Sequence, residues 1–481
     1  MQYQKDKGSL FEQITEESEK GAGTYGLCGG RGMCGKCRVR FLSGAPLPSS
    51  ADRRVFTPAQ LREGYRLACT ARPVGSCEVE PCFVREPEAK ILTDTQGAAG
   101  IAPSGKSEKP GRKGLHKPDQ SNQGQFCAVD LGTTTVVMQL TDRQSGNVLY
   151  TYAFQNPQRM YGIDVLARIS AAEEGRADLL QRLIVEGLEK GLREIEQTGR
   201  PDEIIISGNT AMEHLLLGYP VHTLGKAPFL PAHTGLSRFT LGGYPAVFLP
   251  GISAFVGADI VSGIYALGMT ETGAFTLFID LGTNGEMAIG GRDGILCTAA
   301  AAGSAFEGSV SSRILGTDMT ALACDMLQKG LMDESGLLQE PWFTKGYPAG
   351  ERGELLIRQQ DIRNLQMAKA AVCTGVSLLL DQTEGWHRLD RVYLAGGFGY
   401  ELDVEKAVRI GLIPRVLETR CVAVGNTSLA GAVRFGREGH KEPIQREKHL
   451  QHIADISTSL NLAEQPEFEA RYFQSMTFAQ M

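Results

Sequence analysis

The chain has 481 residues, 42% of them hydrophobic, and a formal net charge of −6. That length fits two or three domains with real cores. The net acidity excludes a general nucleic-acid binder, and there is no run of about 18 apolar residues to cross a membrane.

The opening stretch, MQYQKDKGSLFEQITEESEK, has no apolar core of the kind a signal peptide carries. A cytoplasmic protein is expected, with neither membrane nor nucleic acid as partner. Stable disulfides are rare there, so eleven cysteines point to metal binding. From Gly8, the segment GSLFEQITEESEK reads as a helix.

GLCGGRGMCGKCRV follows, from Gly26 to Val39. It places Cys28, Cys34 and Cys37 at C-x5-C-x2-C, and Cys69 lies further on in GYRLACTA. Zinc ribbons favour two C-x2-C pairs, and only one is present. Four-iron ferredoxins space their cysteines more tightly, and plant-type two-iron sites use C-x4-C-x2-C with a distant fourth. The glycines at 29, 30, 32 and 35 let the loop wrap closely and aim N–H groups at sulfur. The segment from Met1 to Val84 resembles a β-grasp [2Fe–2S] ferredoxin of the vertebrate-type spacing. That resemblance implies Cys28, Cys34, Cys37 and Cys69 as cluster ligands. Such domains open with a β-hairpin before the helix, and here that hairpin is expected to be shortened. Cys77 and Cys82 fall outside the pattern and read as ordinary thiols.

Residues 85–125 are rich in Gly, Pro, Ser and Lys without an apolar period. They read as a flexible, solvated tether. Its basic residues offer an anionic partner little beyond solvation.

The chain then repeats itself. FCAVDLGTTTVVMQL spans Phe126–Leu140, and TLFIDLGTNGEMAIG spans Thr276–Gly290. In each, an apolar strand reaches Asp-Leu-Gly-Thr and a second apolar strand returns. Asp130 and Asp280 then sit at turns where a carboxylate can hold Mg²⁺, directly or through water. Gly132, Thr133 and Thr134, and Gly282, Thr283 and Asn284, can bring amides and hydroxyls to phosphate. Further on, RVYLAGGFGYELDVEKAVRIGLIP runs from a strand into Gly396 and Gly397, where an adenosine can lie against backbone. Amphipathic helices such as ADLLQRLIVEGLEKGLREIEQ and DIRNLQMAKAAVCTGVSLLLDQ alternate with the strands. Residues 126–481 resemble the ATPase fold shared by acetate and sugar kinases, actin and Hsp70, with two ribonuclease-H-like halves. The whole is expected to be an α/β chain of ferredoxin, linker and ATPase.

A ferredoxin joined to this ATPase resembles the reductive activators of corrinoid proteins. The segments NPQRMYGIDVLARI, ISGNTAMEHLLLG, APFLPA, FVGADIVSGI, AAAAGSAFEG and GNTSLAGA carry the detail. The better-known members have a middle domain between ferredoxin and ATPase, so this chain reads as a compact variant lacking it. The resemblance implies ATP-dependent one-electron reduction of Co(II) to Co(I), rescuing a methyltransferase system. It implies a [2Fe–2S] cluster, ATP and Mg²⁺, a corrinoid protein as partner and an upstream low-potential reductant. A homodimer is expected. Plant-type clusters lie near about −400 mV, the cobalt couple lies lower, and each 59 mV is roughly tenfold against transfer.

The rival reading is a ferredoxin-tethered small-molecule kinase of the same superfamily. It needs an acid or base between the phosphate loops, for which Glu213 and Asp259 are candidates, though both read more simply as structural carboxylates. A chaperone needs a peptide-binding domain, and only about forty residues follow GNTSLAGAVRFG. Activators of radical acyl-CoA dehydratases share a four-iron cluster across a dimer, which the cysteine spacing does not offer. His214 could ligate the partner's cobalt, but a lone histidine at a helix turn is usually structural.

Overall fold

A computed structural model describes residues 2–3, 10–11, 13–14, 32, 35, 37–82, 92–95, 124–282, 284–302, 316–350, 355–439 and 442–478. They fall into two compact units, one of 1–89 with 156–184, the other of 90–155 with 185–481.

The N-terminal unit carries a four-stranded sheet of order β1-β4-β2-β3. Its strands are β1 (Gln2–Tyr3), β2 (Arg38–Ser43), β3 (Tyr65–Leu67) and β4 (Cys77–Pro81). Where a ferredoxin has its opening hairpin, the described residues are the two of β1, which pair with β4. The expected helix leaves Leu10, Phe11 and Ile14 buried with Val39, Phe41, Leu67 and Val79 in one core. Two short helices, α1 (Ser50–Val55) and α2 (Pro58–Arg62), each begin with a capping box. Asp52 in α1 does more than cap. Its Oδ2 accepts the Ser49 N–H (2.7 Å), and its Oδ1 accepts the Leu67 N–H (2.7 Å). The buried carboxylate thus fixes the strand end that leads into Cys69.

The second unit contains two six-stranded sheets that share a four-strand core. In the first, β5 (Gln125–Leu131), β6 (Thr135–Asp142), β7 (Val148–Gln155), β8 (Glu203–Gly208), β9 (Ser237–Leu241) and β10 (Tyr244–Phe248) are ordered β7-β6-β5-β8-β10-β9. In the second, β11 (Thr276–Leu281), β12 (Gly285–Gly291), β13 (Gly294–Ala300), β14 (Arg391–Ala395), β15 (Cys421–Ala423) and β16 (Ser457–Ser459) are ordered β15-β14-β11-β12-β13-β16. Each Asp-Leu-Gly-Thr strand pairs antiparallel with its returning strand and parallel with a strand that leads to a glycine and a helix. The apolar runs FCAV and TLFI are buried on both faces because a sheet centre, not an edge, receives them.

Among the helices, α3 (Ala177–Ile195) buries Leu180, Ile184, Leu188, Leu192 and Ile195 at nearly regular four-residue spacing. The long helix α6 (Gln359–Gln382) packs against β12 and β13. Between them in the chain, α4 (Thr210–Leu217) follows β8 and α5 (Ala258–Leu267) follows β10; α7 (Gly396–Glu401) follows β14 and α8 (Thr427–Glu438) follows β15. Helices α5 and α8 cross in close contact. A Cβ on Gly431 would stand 2.3 Å from the Ser262 carbonyl oxygen, and one on Gly436 would enter the Phe126 ring. Helix α8, which follows the second sheet, therefore lies on β5 and β8 of the first.

No described helix is long and apolar enough to cross a membrane. Residues 92–95, within the stretch read as solvated tether, are half-buried. Their ordering comes from backbone carbonyls, which sequence patterns do not display.

Overpacking tests the helix crossing. Gly431→Val forces α5 and α8 apart and is expected to destabilise the second unit by about 1–3 kcal/mol, read as a lower thermal midpoint. An unchanged midpoint would show that the crossing is not close-packed.

Candidate functional site

In the ferredoxin unit, the Cys37 and Cys69 sulfurs are 3.2 Å apart and both residues are buried. The Ala68 N–H donates to the Cys37 carbonyl (2.7 Å), joining the two cysteine-bearing segments. Two thiolates on one tetrahedral ion, each at about 2.3 Å, stand roughly 3.7 Å apart, so the pair fits a shared iron better than a disulfide at about 2.05 Å. Cys28 and Cys34 lie outside the described residues. Gly32 and Gly35 have φ of +69° and +65°. A Cβ on Gly32 would come within 2.7 Å of Ala51 and Thr70. Only glycine allows the loop to press onto α1 at that point. Cys77 is buried on β4 and Cys82 half-buried beside it, and burial pushes both thiols up, away from the reactive thiolate.

In the second unit, the two repeated aspartates are half-buried, and loss of water is the largest influence on each. Asp130 is held from both sides: Asn426 Nδ2 donates to Oδ2 (2.8 Å) and Ser428 Oγ to Oδ1 (2.8 Å). Its pKa is raised by burial, against the pull of those two hydrogen bonds. Asp280 is pushed up to about 7 by burial, then by Asp259 and Asp130. Asp259, in the first turn of α5, is also pushed up to about 7, by burial first and with Asp130 adding repulsion. Glu286, paired with Asp280 across β11 and β12, is raised well above the ordinary carboxylate range by burial and by Asp259 and Asp280.

These are four mutually repelling acids. Among the described residues no cationic side chain forms an ion pair with any of them. Such a group fits a divalent cation. Among the described residues no three His, Cys, Asp or Glu side chains converge closely enough to ligate one ion directly.

The glycines differ in what they do. A Cβ on Gly132 would strike the Thr135 carbonyl at 2.5 Å, and one on Gly396 (φ +78°) would strike Asp280 Oδ1 at 2.4 Å. Both are required by close chain approach. Gly282 and Gly397 instead face open space, with no atom within 4 Å of an added Cβ, which leaves room for a ligand. Thr133 is buried and its Oγ1 accepts Asn209 Nδ2 (2.9 Å); Thr134 is half-buried. Gly282 N–H donates to the Asn284 carbonyl (3.0 Å), closing the second turn. Thr283 lies outside the described residues.

Sequence reasoning missed Asn209, Asn426, Ser428 and Glu286 and left Asp259 as structural. A signal for two of them was present. Gly-Asn-Thr occurs at 208–210 and at 425–427, each time after a strand. Each asparagine caps its helix through Oδ1, accepting from Met212 N–H (3.0 Å) or Leu429 N–H (2.9 Å). Each then turns Nδ2 onto the first Asp-Leu-Gly-Thr loop, Asn209 to Thr133 and Asn426 to Asp130.

Glu213 and His214 do not join this group through any contact described. Glu213 is buried in α4, accepts from Ser237 Oγ (3.4 Å), and burial pushes its pKa up to about 8. His214 is fully buried. Its Nδ1 donates to the Thr210 carbonyl (2.8 Å), so Nε2 is the acceptor for Ala232 N–H (3.1 Å). A ring with both nitrogens engaged inside the fold has none to offer a partner's metal.

The pH dependence of stability tests Glu213. Its folded pKa lies above its unfolded value of 4.5, so its contribution is full below pH 4.5 and is lost as pH rises towards about 8. Glu213→Gln cannot ionise. Wild type is expected to lose stability relative to this variant by up to about 1.4 kcal/mol per pH unit across that window, with ATP hydrolysis preserved. Parallel stability curves would contradict the buried, protonated assignment.

Comparison with known proteins agrees with this architecture. A 2Fe-2S iron-sulfur cluster binding domain matches residues 2–74. The RACo middle region matches 126–272, and the C-terminal domain of RACo, the ASKHA domain, matches 274–318 and 311–481. The corrinoid activation enzyme RamQ of Eubacterium limosum is 28% identical over 425 residues, covering 73% of this chain and 70% of RamQ. The [Co(II) methylated amine-specific corrinoid protein] reductase of Methanosarcina barkeri is 22% identical over 371 residues, covering 63% of this chain and 68% of that protein. The solved structure of a reductive activator for corrinoid, iron-sulfur protein superposes with a TM-score of 0.66 at 24% identity, covering 98% of this chain and 95% of that one.

The expectation that a middle domain is missing is therefore wrong: residues 126–272 are the middle region. Because both sheets share the same core of four strands, third-second-first-fourth in chain order, around one motif, the middle region reads in sequence as the first half of an ATPase. With a 2Fe-2S domain followed by the RACo middle and ASKHA regions, the chain belongs to the family of reductive activators of corrinoid proteins.

Proposed function

We propose that this protein is an ATP-hydrolysing iron–sulfur reductase that returns the Co(II) corrinoid of a methyltransferase system to Co(I). The observation that carries the reading is the pairing, in one chain, of adjacent buried cysteines in a ferredoxin sheet with a duplicated acidic nucleotide fold. Both RamQ and the Methanosarcina barkeri reductase are named for action on corrinoid proteins.

Cys28, Cys34, Cys37 and Cys69 are the ligands we assign to the cluster, which when bound supplies a one-electron carrier. Asp130 and Asp280, with Asp259 and Glu286 beside them, would hold Mg²⁺ through water. The loops at Gly132–Thr134 and Gly282–Asn284 would take the phosphates, and Gly396 and Gly397 the adenosine. Phosphoryl transfer is mainly positioning and charge stabilisation, which a hydrated cation held near these acids and the two Asp-Leu-Gly-Thr turns would supply. In this reading 1–84 is the ferredoxin part, 85–125 the connection and 126–481 the ATPase, which grips and releases the corrinoid protein. A low-potential donor upstream, a cytoplasmic setting and a homodimer complete it.

The test is reconstitution. Reduced protein, Mg-ATP and a cob(II)alamin-loaded corrinoid protein should lose the Co(II) EPR signal when methyl donor and methyltransferase are present. Without ATP the loss should be slow or absent. ATP turnover should rise on adding the Co(II) partner, since a partner shifts a domain equilibrium only by binding one state better. Rapid phosphorylation of a small metabolite, with ATP turnover indifferent to any corrinoid protein, would favour the kinase reading instead.

A further inference from the structure

Leu92–Thr95 are half-buried, and three successive carbonyls of this segment are engaged. Asn426 Nδ2 donates to the Leu92 carbonyl (3.3 Å), Gln139 Nε2 to that of Thr93 (2.9 Å), and the Asn426 N–H to that of Asp94 (2.9 Å). Tyr400 Oη donates to Asp94 Oδ2 (3.1 Å). At Gly425, φ +63°, a Cβ would stand 2.6 Å from the Asp94 carbonyl oxygen, so glycine is needed for the segment to seat. The donors come from β6 of the first sheet, from the end of α7, which follows the second, and from the N-cap of α8.

Asn426 joins this contact to the acid group. Its amide has two hydrogens and one carbonyl oxygen. One hydrogen goes to Asp130 Oδ2 and the other to Leu92, while the oxygen caps α8 through the Leu429 N–H. With both hydrogens and the oxygen engaged, the side chain has one orientation, and the segment supplies one of the three constraints.

We propose that Leu92–Thr95 is a strap that positions Asn426, and through it Asp130, so that the connection between the two parts of the chain sets the turnover of the ATPase. The proposal rests on reading Asp130 as a nucleotide-site residue. Asn426 is then a positioning residue, and the strap has a second consequence. Leu92 follows Cys82 by ten residues, and Gly124 follows it by forty-two. Fully extended, those lengths span about 35 Å and about 145 Å. Seating the strap shortens the leash on the ferredoxin part; releasing it lengthens the leash as Asp130 loses its fixed partner.

The full-length chain tests this through ATP hydrolysis alone, with no corrinoid protein, so failure here is separable from failure of the reductase reading. Asp94→Ala removes the acceptor for Tyr400, Tyr400→Phe removes the same bond from the other side, and Asp94→Asn keeps an acceptor. With thermal midpoints matched to wild type, D94A and Y400F should speed hydrogen exchange of the Asn426 amide. Both should lower kcat for ATP by about fivefold, the scale of one lost hydrogen bond, with KM for ATP within twofold. The D94A/Y400F double variant should be no worse than either single, and D94N should restore both readouts. Faster exchange at Asn426 with unchanged kcat overturns the coupling. Unchanged exchange in D94A and Y400F overturns the strap.

Discussion

Four carboxylates gathered in one unit, three half-buried and Glu286 buried, without a paired cation among the described side chains, are the constraint around which this protein is built. Burial raises the pKa of Asp130, Asp259, Asp280 and Glu286, and repulsion among them raises those of the last three further. The fold answers with polar groups and helix ends rather than with lysine or arginine. Asn426 and Ser428, at the start of α8, take both oxygens of Asp130. Ser428 Oγ also lies 2.9 Å from Ser207 Oγ, which lies 2.9 Å from Ser262 Oγ, so a chain of hydroxyls runs from the aspartate to α5.

That answer requires exchange between the duplicated halves. Helix α8 follows the second sheet yet packs on the first, and this brings its N-terminus to the first aspartate. Asp259 opens α5, which follows the first sheet, yet it acts on Asp280 and Glu286 of the second. The exchange depends on two helices crossing closely enough that Gly431 can have no side chain. Neither half supplies the whole acid group alone, so a ligand bound among these acids would touch both.

Much of this was legible in the sequence, for identifiable reasons. The Asp-Leu-Gly-Thr hairpins were readable because their flanking strands are central and continuously apolar. The ferredoxin was readable because cysteine spacing around Cys37 follows from the ligand geometry. Glu286 was not, since it is one polar residue in a buried strand whose meaning appears only when β12 lies beside Asp280. Asn426 and Ser428 were hidden for the opposite reason: they are remote from Asp130 in sequence, and helix capping already accounts for the asparagine. Residues 92–95 engage through main-chain carbonyls, which any sequence presents. The middle region was misjudged because duplication conceals a boundary; residues 126–272 carry the same hairpin as the half that follows.

The central claim is that one chain links an electron-carrying thiol site to an ATP-consuming acid site. Its most direct measurement compares Cys69→Ser and Asp280→Ala in parallel, each assayed for cluster EPR, ATP hydrolysis and loss of the partner's Co(II) signal. The account predicts that C69S hydrolyses ATP but neither holds a stable cluster nor reduces cobalt. It predicts that D280A retains the cluster signal yet loses both hydrolysis and ATP-dependent reduction. Cobalt reduction by D280A at the wild-type rate would contradict it, because electron delivery would then proceed without the acid site.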